Sequence, residues 1–294
     1  ALSPLGASAK EVKKIGLAVS NLQADYFNQI KLGVEGYAKE KGIEVITVDA
    51  KNDSATQVSQ VQDLLTQDID AFIYIPAGAA AAAVPTRLAK DAGIPVVNVD
   101  RNADGAPGDT FIATDNATSA YEVCKYIIGK AEGKGQMLMV HGQKGTTPEV
   151  ERTKGCMKAI GENPGVELVA EQWSEQWSQA EGLNITQNLL QAHPDVKIIF
   201  AQADGLALGA AQAVKVSGAE GVIVGGFDGD TTALPILAEG GFAATATQQV
   251  RGIGRLAVDS AIKLAAGETL PAEQLLPGFL TTPENAAQYV AEHP

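Results

Sequence analysis

Short apolar runs alternate with longer stretches of helical periodicity along the first half of the chain. Each apolar run is continuous, four or five residues long, and followed by polar or turn-forming residues. Continuous runs of this length, separated by helices, are typical of a parallel sheet covered by helices on both faces. The predicted strands are 15–19, 44–48, 71–75, 95–99 and 111–114, and the predicted helices are 28–41, 54–67 and 80–92.

The same alternation restarts near residue 136. Residues 62–65 read Gln-Asp-Leu-Leu and residues 187–190 read Gln-Asn-Leu-Leu, an offset of 125 positions. This offset is far longer than the repeat of a solenoid protein. The sequence therefore predicts an α/β protein made of two similar doubly wound parallel-sheet lobes. The second set of predicted strands is 137–140, 167–169, 197–200 and 221–224, with helices at 149–160, 179–191 and 204–216.

This repeat has a consequence for ligand binding. In an open parallel sheet, ligands bind beyond the carboxyl ends of the strands. Asp100 and Asp228 follow matching strands of the two halves. We expect them to lie on opposite walls of a cleft between the lobes, a kind of site that closes by hinge motion.

Composition narrows the class of protein. The chain has 294 residues, of which 45% are hydrophobic, and no apolar run has the roughly 18 residues that span a bilayer. The net charge of −13 disfavours nucleic acid as a partner, because phosphate binding needs a basic surface. No cysteine or histidine spacing matches a metal site, so neither a metal nor a cofactor is predicted. Cys124 and Cys156 could form one disulfide or stay two buried thiols, with thiols slightly favoured.

Aromatic residues stand at two notable places. Tyr26 and Phe27 are adjacent in a predicted loop just before a helix. One ring could pack the start of that helix onto the core, or a ring face could stack on a sugar ring. Of the tryptophans, Trp173 and Trp177, one could be a core residue. Trp177 precedes polar residues and is the candidate to face the cleft, opposite Phe27.

Charged and amide side chains follow several predicted strands. A salt bridge would explain the pair Asp100–Arg101, and so would charge-assisted hydrogen bonds to ligand hydroxyl groups. Arg152 is predicted in the first turn of a helix, where the helix dipole disfavours a cation, and this favours a ligand contact. Asp228 and Gln248 follow two further strands, and an amide can both donate to and accept from a hydroxyl group.

Other polar residues have structural explanations. Asp204 is predicted to be a helix N-cap, and Asp115 and Asn116 are interpreted as cap or hinge residues. No nucleophile, phosphate-binding or dinucleotide motif occurs, so no enzyme is predicted. Asp100 and Asp228 could in principle form a glycosidase pair, but arginine and amide neighbours fit the binding of neutral hydroxyl groups better.

As a set, these residues resemble the periplasmic ribose-binding protein family, the type I sugar-binding proteins of ABC transporters. The resemblance spans residues 13–280. Its motifs are Ser20 with Tyr26–Phe27, residues 96–101, 112–116, 151–152, 187–194, 200–204, 224–228 and 244–248. The ligand contacts that it implies are Ser20, Tyr26, Phe27, Asp100, Arg101, Arg152, Trp177, Asp228 and Gln248. Gln23, in the same loop as Ser20, is a further candidate.

The resemblance also implies an organisation and a setting. The N-terminal lobe would comprise residues 11–115 and 249–277, and the C-terminal lobe 116–248 and 278–294. The function implied is capture of a small sugar or sugar alcohol for an ABC importer. The protein would be a monomer, periplasmic or extracellular, with or without a lipid anchor. Its partners would be the permease domains, with a chemoreceptor as a further candidate. Residues 1–10 are interpreted as a flexible tether left by a removed leader.

Three positions depart from the ribose-binding pattern. Ala24, Ile75 and Ala203 stand where ribose binders carry asparagine. A site built for ribose would then leave hydroxyl groups unpaired, at a cost of about 1–3 kcal/mol each. These departures predict a different ligand, such as a tetritol, a pentitol, or a deoxy or larger sugar.

Two other classes of protein share features with this sequence. The core of a lactose-repressor-type regulator has this fold, but it follows a basic helix-turn-helix segment. Only 14 residues precede the first predicted strand here. A carbohydrate-active enzyme is the other alternative, and it would turn its ligand over.

Overall fold

Strands and helices alternate through most of the chain, as the apolar pattern predicts. A computed structural model describes residues 11–103 and 105–294, so the predicted tether at 1–10 lies outside the described residues. The strands are β1 (Lys14–Val19), β2 (Glu44–Asp49), β3 (Ala71–Tyr74), β4 (Val96–Val99), β5 (Thr110–Thr114), β6 (Lys134–His141), β7 (Gly165–Trp173), β8 (Val196–Ala201), β9 (Ile223–Gly225), β10 (Thr245–Thr247), β11 (Glu273–Leu276) and β12 (Phe279–Thr281). The helices are α1 (Asp25–Glu40), α2 (Ser54–Leu65), α3 (Ala83–Asp91), α4 (Asn116–Lys130), α5 (Thr147–Gly161), α6 (Gln179–Ala192), α7 (Asp204–Ser217), α8 (Leu234–Ala238), α9 (Val250–Ala265) and α10 (Ala286–Ala291).

Two sheets repeat one strand order. The six-stranded sheet runs β11-β5-β4-β3-β1-β2, and the four-stranded sheet runs β7-β6-β8-β9. Reading from β2 to β4 and from β7 to β9 gives the same topology, with parallel pairing throughout those strands. The predicted fold class, doubly wound α/β, is confirmed, and the internal repeat appears as a repeated topology. A separate antiparallel pair joins β10 and β12.

The chain divides into two compact units. The first contains the described residues up to Ile112 together with Arg251–Gln274, and the second contains Ala113–Val250 and Leu275–Pro294. The chain therefore passes from one unit to the other within β5, at the start of α9 and within β11. The lobe boundaries expected from the sequence lie at 115, 248 and 277, a few residues away along the chain.

The second unit is built as three layers. Alternate residues of β6 point to opposite faces of its sheet, as the period of a strand requires. Met137 and Met139 pack into a cluster with residues of α4 and α5, and Leu138 and Val140 pack into a cluster with residues of α6 and α7. The carboxyl edge of this sheet is thus surrounded by the N-terminal ends of helices from both layers.

The two cysteines are joined, which corrects the slight preference for free thiols. Cys124 of α4 and Cys156 of α5 form a disulfide with their Cα atoms 5.3 Å apart. Both residues are fully buried. Sequence spacing did not reveal this pair, because only the packing of α4 against α5 brings the two side chains together.

Candidate ligand-binding site

In the first unit, a buried ion pair stands at the carboxyl edge of the sheet. Asp100 directly follows β4 in a left-handed conformation, with φ of 63°. The Asp100 Oδ2 atom lies 3.5 Å from Nε of Arg101, and both side chains are 3% exposed. Nη1 of Arg101 donates to the carbonyl oxygens of Pro76 and Ala77, each at 3.0 Å. These bonds fix the guanidinium group against the loop that follows β3.

Tyr26 and Phe27 lie in the first turn of α1, not in a loop as predicted. The helix begins at Asp25, whose negative charge suits a helix N-terminus. The two rings meet edge to face, with centroids 5.2 Å apart. The guanidinium carbon of Arg101 lies 5.3 Å from the centre of the Phe27 ring. The structure therefore brings an aromatic face and a buried cation together at this edge.

Ser20 and Gln23 differ in their surroundings. Ser20 is fully buried. Its hydroxyl group donates to Oδ1 of Asn52 at 2.9 Å and accepts from Nη1 of Arg101 at 3.3 Å. Gln23 is exposed, and its backbone N–H donates to Oδ1 of Asn21. Ser20 thus supports Arg101, whereas no hydrogen bond between described residues joins the Gln23 side chain to this group. Sequence reasoning missed Asn52, which follows β2 with φ of 62°.

In the second unit, Arg152 is the central cation. It lies in the second turn of α5, because the helix begins at Thr147 and not at residue 149. The dipole argument made from the sequence is therefore wrong for this residue. Arg152 Nε donates to Oδ1 of Asn116 at 2.8 Å, and Nη1 donates to the carbonyl oxygen of Gln202 at 2.6 Å. Its Nη1 atom also lies 3.4 Å from Oδ1 of Asp228.

Asp228 and Gln248 meet beside this arginine. Nε2 of Gln248 donates to Oδ1 of Asp228 at 2.8 Å. Gln248 is fully buried, and its Oε1 atom has no hydrogen-bond partner among the described residues. A buried acceptor without a partner costs about 1–3 kcal/mol. A hydrogen bond donated by a ligand hydroxyl group would remove that cost.

Two aromatic rings flank the Arg152 guanidinium group. Its central carbon lies 3.8 Å from the centre of the Phe227 ring and 5.6 Å from that of Trp177. Phe227 is fully buried and was not a candidate in the sequence, where it reads as the end of an apolar run. Trp177 is half-buried and has φ of 59°.

Asp204 is not the helix cap that the sequence predicted. The N-cap of α7 is Ala203, which makes no side-chain cap hydrogen bond. The carboxylate of Asp204 instead accepts from the backbone N–H groups of Gly229 and Asp230 and from the hydroxyl group of Thr245. Complete burial raises the pKa of this carboxyl group to about 6. Asp204 therefore holds the loop that carries Asp228.

The residues Asp115 and Asn116 play two different parts. Asp115 is the N-cap of α4, and its side chain accepts from the backbone N–H of Thr118, which confirms the cap. Asn116 is buried and accepts from Arg152, so it belongs to the cluster around that arginine.

His141 is fully buried and contacts two glutamates and a tryptophan, an arrangement that sequence reasoning missed. Nδ1 lies 3.1 Å from Oε1 of Glu149, and Nε2 lies 3.0 Å from Oε2 of Glu171. The ring stacks on Trp173, whose Nε1 donates to Glu149 at 3.0 Å. Burial alone would raise the pKa of Glu149, but hydrogen bonds from His141, Gly145 and Trp173 lower it further than burial raises it. Trp173 is thus the structural one of the two tryptophans.

The structure thus assembles one cluster in each unit. The first unit brings together Ser20, Phe27, Asp100 and Arg101, with Tyr26 against Phe27. The second brings together Arg152, Trp177, Asp228 and Gln248, with Asn116 and Phe227. Within residues 11–103 and 105–294, no group of three or more His, Cys, Asp or Glu side chains could hold a metal ion. No helix in those ranges is both long and apolar enough to cross a membrane.

Comparison with known proteins defines the class. A family model described as the periplasmic binding protein domain matches residues 15–269. The chain belongs to this family, and within it to the ribose-binding type that the sequence motifs indicated.

Individual relatives support the assignment of the chain to this family. The ribose import binding protein of Bacillus subtilis is 34% identical over 265 residues, which cover 90% of this chain and 86% of that protein. An ABC transporter solute binding protein from Bacillus halodurans, solved with bound myo-inositol, is 29% identical with a TM-score of 0.89, covering 98% of this chain and all of that one. One from Actinobacillus succinogenes, solved with bound D-allose, is 27% identical with a TM-score of 0.88, covering 94% and 100%.

Proposed function

We propose that this chain is the solute-binding protein of an ABC importer and that it captures one small sugar or sugar alcohol. One observation carries the proposal: each unit holds a buried arginine beside an aromatic ring, paired with an aspartate, at the carboxyl edge of its sheet. In the first unit these are Arg101, Phe27 and Asp100. In the second they are Arg152, Trp177 and Asp228.

The charges of the clusters favour a neutral ligand over an anionic one. Asp100 offsets the charge of Arg101, and Asp228 offsets that of Arg152. An anionic ligand would add a buried negative charge that neither arginine is free to offset, because each is already paired with an aspartate. A polyhydroxylated ligand instead accepts hydrogen bonds from guanidinium groups and donates them to carboxylates, while ring faces cover its C–H groups. The Oε1 atom of Gln248, which has no hydrogen-bond partner among the described residues, supplies one further acceptor.

The ligand that we propose is a polyol or sugar of pentitol size, in preference to ribose. Ala24 and Ala203 are the N-cap residues of α1 and α7, and neither makes a side-chain cap hydrogen bond. Their methyl groups offer no hydrogen bond to a ligand at the helix ends where ribose binders carry amides. The bound ligands of the two solved relatives, myo-inositol and D-allose, also differ from ribose.

The proposed setting is outside the cytoplasm, with permease domains as partners and a monomeric binding protein. The buried Cys124–Cys156 disulfide supports this setting, because structural disulfides persist in oxidising compartments. A lipid anchor and a chemoreceptor partner belong to the same proposal. The proposed role is binding without turnover.

A thermal-shift screen tests the central proposal. The compounds would be D-ribose, D-allose, xylitol, erythritol and myo-inositol. A ligand at 100 times its dissociation constant adds about 2.7 kcal/mol to the free energy of unfolding. We expect a sugar alcohol to give the largest shift in melting temperature. A screen without any shift contradicts sugar binding, and a shift with D-ribose alone contradicts the argument from Ala24 and Ala203.

Variants in each unit test the two clusters. We expect Asp100→Asn and Arg152→Lys each to weaken binding of the screened ligand by at least tenfold in calorimetry, because each removes a charge-assisted or bidentate contact worth about 1.5–3 kcal/mol. Arg87→Ala removes an exposed arginine of the first unit and serves as the control. Unchanged affinity in both site variants would overturn the site assignment. Recovery of the ligand unaltered after incubation excludes the enzyme alternative, and any product of turnover supports it.

A further inference from the structure

The loop between β7 and α6 holds Trp177 in a conformation that needs support. Trp177 has φ of 59°, in the left-handed region. A residue other than glycine pays roughly 1–2 kcal/mol for this conformation, so surrounding contacts must maintain it. The loop is short, running from Ser174 to Ser178, and its tip is exposed at Glu175 and Gln176.

The carboxylate of Glu181 stabilises this loop by accepting hydrogen bonds from its backbone. Its oxygens accept from the backbone N–H groups of Glu175 at 2.8 Å, Gln176 at 3.0 Å and Ser178 at 3.1 Å. Ser178 and Glu181 also form a capping box at the start of α6. One side chain thus satisfies three backbone donors of the loop, two before Trp177 and one directly after it.

The indole ring of Trp177 packs against Gly142. Gly142 directly follows β6, and its N–H donates to Oε1 of Gln202 at 3.0 Å. A methyl group at this position would overlap the six-membered ring of Trp177. Gly142 is not among the glycines with positive φ. The need for glycine here therefore comes from the ring alone, and not from the backbone conformation.

We propose that Gly142 and Glu181 are positioning residues for ligand binding, acting together through the indole ring of Trp177. Glu181 stabilises the loop. Gly142, which has no side chain, allows the ring to pack closely and so determines its position beside the Arg152 guanidinium group. A stacking face fixed before the ligand arrives costs less ordering entropy on binding. This inference rests on the proposed function, since it assigns Trp177 a stacking role toward the ligand.

A double-mutant cycle tests the coupling through the ring. The measurement is the dissociation constant for D-ribose, xylitol and myo-inositol by calorimetry. We expect Gly142→Ala, Glu181→Ala and Trp177→Ala each to raise it by roughly tenfold, the size of a lost aromatic contact. Combining Gly142→Ala with Trp177→Ala should add no further loss, because the ring through which Gly142 acts is absent. Additive losses would overturn the proposal.

Control variants separate positioning from a general loss of stability. Gly129→Ala places the same methyl group in open space on α4, and Glu175→Ala removes an exposed carboxylate from the same loop. Both should bind like the wild type. Glu181→Gln should lie between Glu181→Ala and the wild type, because the amide oxygen can still accept. A loss of affinity in the controls equal to that in Gly142→Ala or Glu181→Ala would contradict the inference.

A second readout needs no ligand. In a Trp173→Phe background, fluorescence reports Trp177 alone, and acrylamide quenching measures access to its ring. We expect Gly142→Ala and Glu181→Ala to increase quenching at least twofold while Gly129→Ala does not. Unchanged quenching contradicts the positioning role. If quenching changes but the wild type binds none of the three compounds, the proposed function fails and the positioning of the ring stands.

Discussion

Asp204 shows how a single buried carboxylate can organise a site without facing it. Its hydrogen bonds to Gly229, Asp230 and Thr245 join the start of α7 to the loop carrying Asp228. Burial is the largest influence on its pKa and raises it from 3.8 to about 6, against the opposing effects of those hydrogen bonds and of Arg152. The folded protein therefore binds a proton at Asp204 more tightly than the unfolded chain does.

The stability of the protein should depend on pH through this residue. Because the folded pKa is raised, the contribution of Asp204 is largest below about pH 4 and is lost as pH rises to about 6. Between pH 4 and pH 7, we expect the free energy of unfolding of Asp204→Asn to gain up to about 3 kcal/mol relative to the wild type. Urea unfolding of both proteins at several pH values measures this. Parallel pH profiles would contradict it.

At the scale of secondary structure, three different contacts join α4 to α5. Gly155 packs so closely against the carbonyl group of Ala117 that a side chain would overlap it. The disulfide joins Cys124 to Cys156, one turn beyond Arg152 along α5. The hydrogen bond from Arg152 to Asn116 spans the same two helices. Three contacts of different kinds therefore fix the helix that carries the arginine.

Removing the disulfide should weaken this pair. We expect the Cys124→Ala/Cys156→Ala variant to lose about 2–5 kcal/mol in the free energy of unfolding, because the unfolded chain is then no longer cross-linked. Urea unfolding of the oxidised wild type and of the variant gives the difference. Fully reduced wild type, unfolded under the same conditions, is the matched control and should resemble the variant. A loss below 1 kcal/mol would show that helix packing alone suffices.

The apolar pattern predicted β1 to β9 and six of the helices, but it did not give α4, α8, α9, α10, β11 or β12, and two predicted helices start late. The continuous apolar runs marked the strands because burial on both faces leaves little polar sequence in them. The start of α1 was placed three residues late, which put Tyr26 and Phe27 in a loop. The late start predicted for α5 similarly misplaced Arg152. Helix ends depend on hydrogen bonds to neighbouring groups, so local periodicity defines them poorly.

At the scale of the whole molecule, the proposal assigns one ligand to both units. Hydrogen exchange measured by mass spectrometry tests this directly. With a saturating ligand from the thermal-shift screen, we expect slower exchange in peptides containing Phe27 and Asp100–Arg101 and also in peptides containing Trp177 and Gln248. Peptides from the amino edge of the first sheet, near Asp70 and Asp109, are the internal control and should change little. Protection confined to one unit would contradict binding by both clusters.

The sequence by itself determined the fold class, the repeated topology and most of the residues at the carboxyl edges. These follow from local rules, because apolar runs mark strands and polar residues directly after them fall at one edge of a parallel sheet. The predicted candidates Asp100 and Arg101 directly follow β4 of the parallel sheet, Asp228 lies three residues after β9, and Gln248 directly follows β10, which pairs with β12 in an antiparallel sheet.

Only the tertiary structure decided how those residues are held. Several of the contacts that hold them join residues distant in sequence. They are the packing of Trp177 on Gly142, the hydrogen bond from Asp230 to Asp204, the contacts of His141 with Glu149 and Glu171, and the disulfide. The hydrophobic periodicity of the sequence does not indicate such contacts, because they depend on how neighbouring helices and strands pack. Packing, more than residue type, determines which side chains are fixed in place for a ligand.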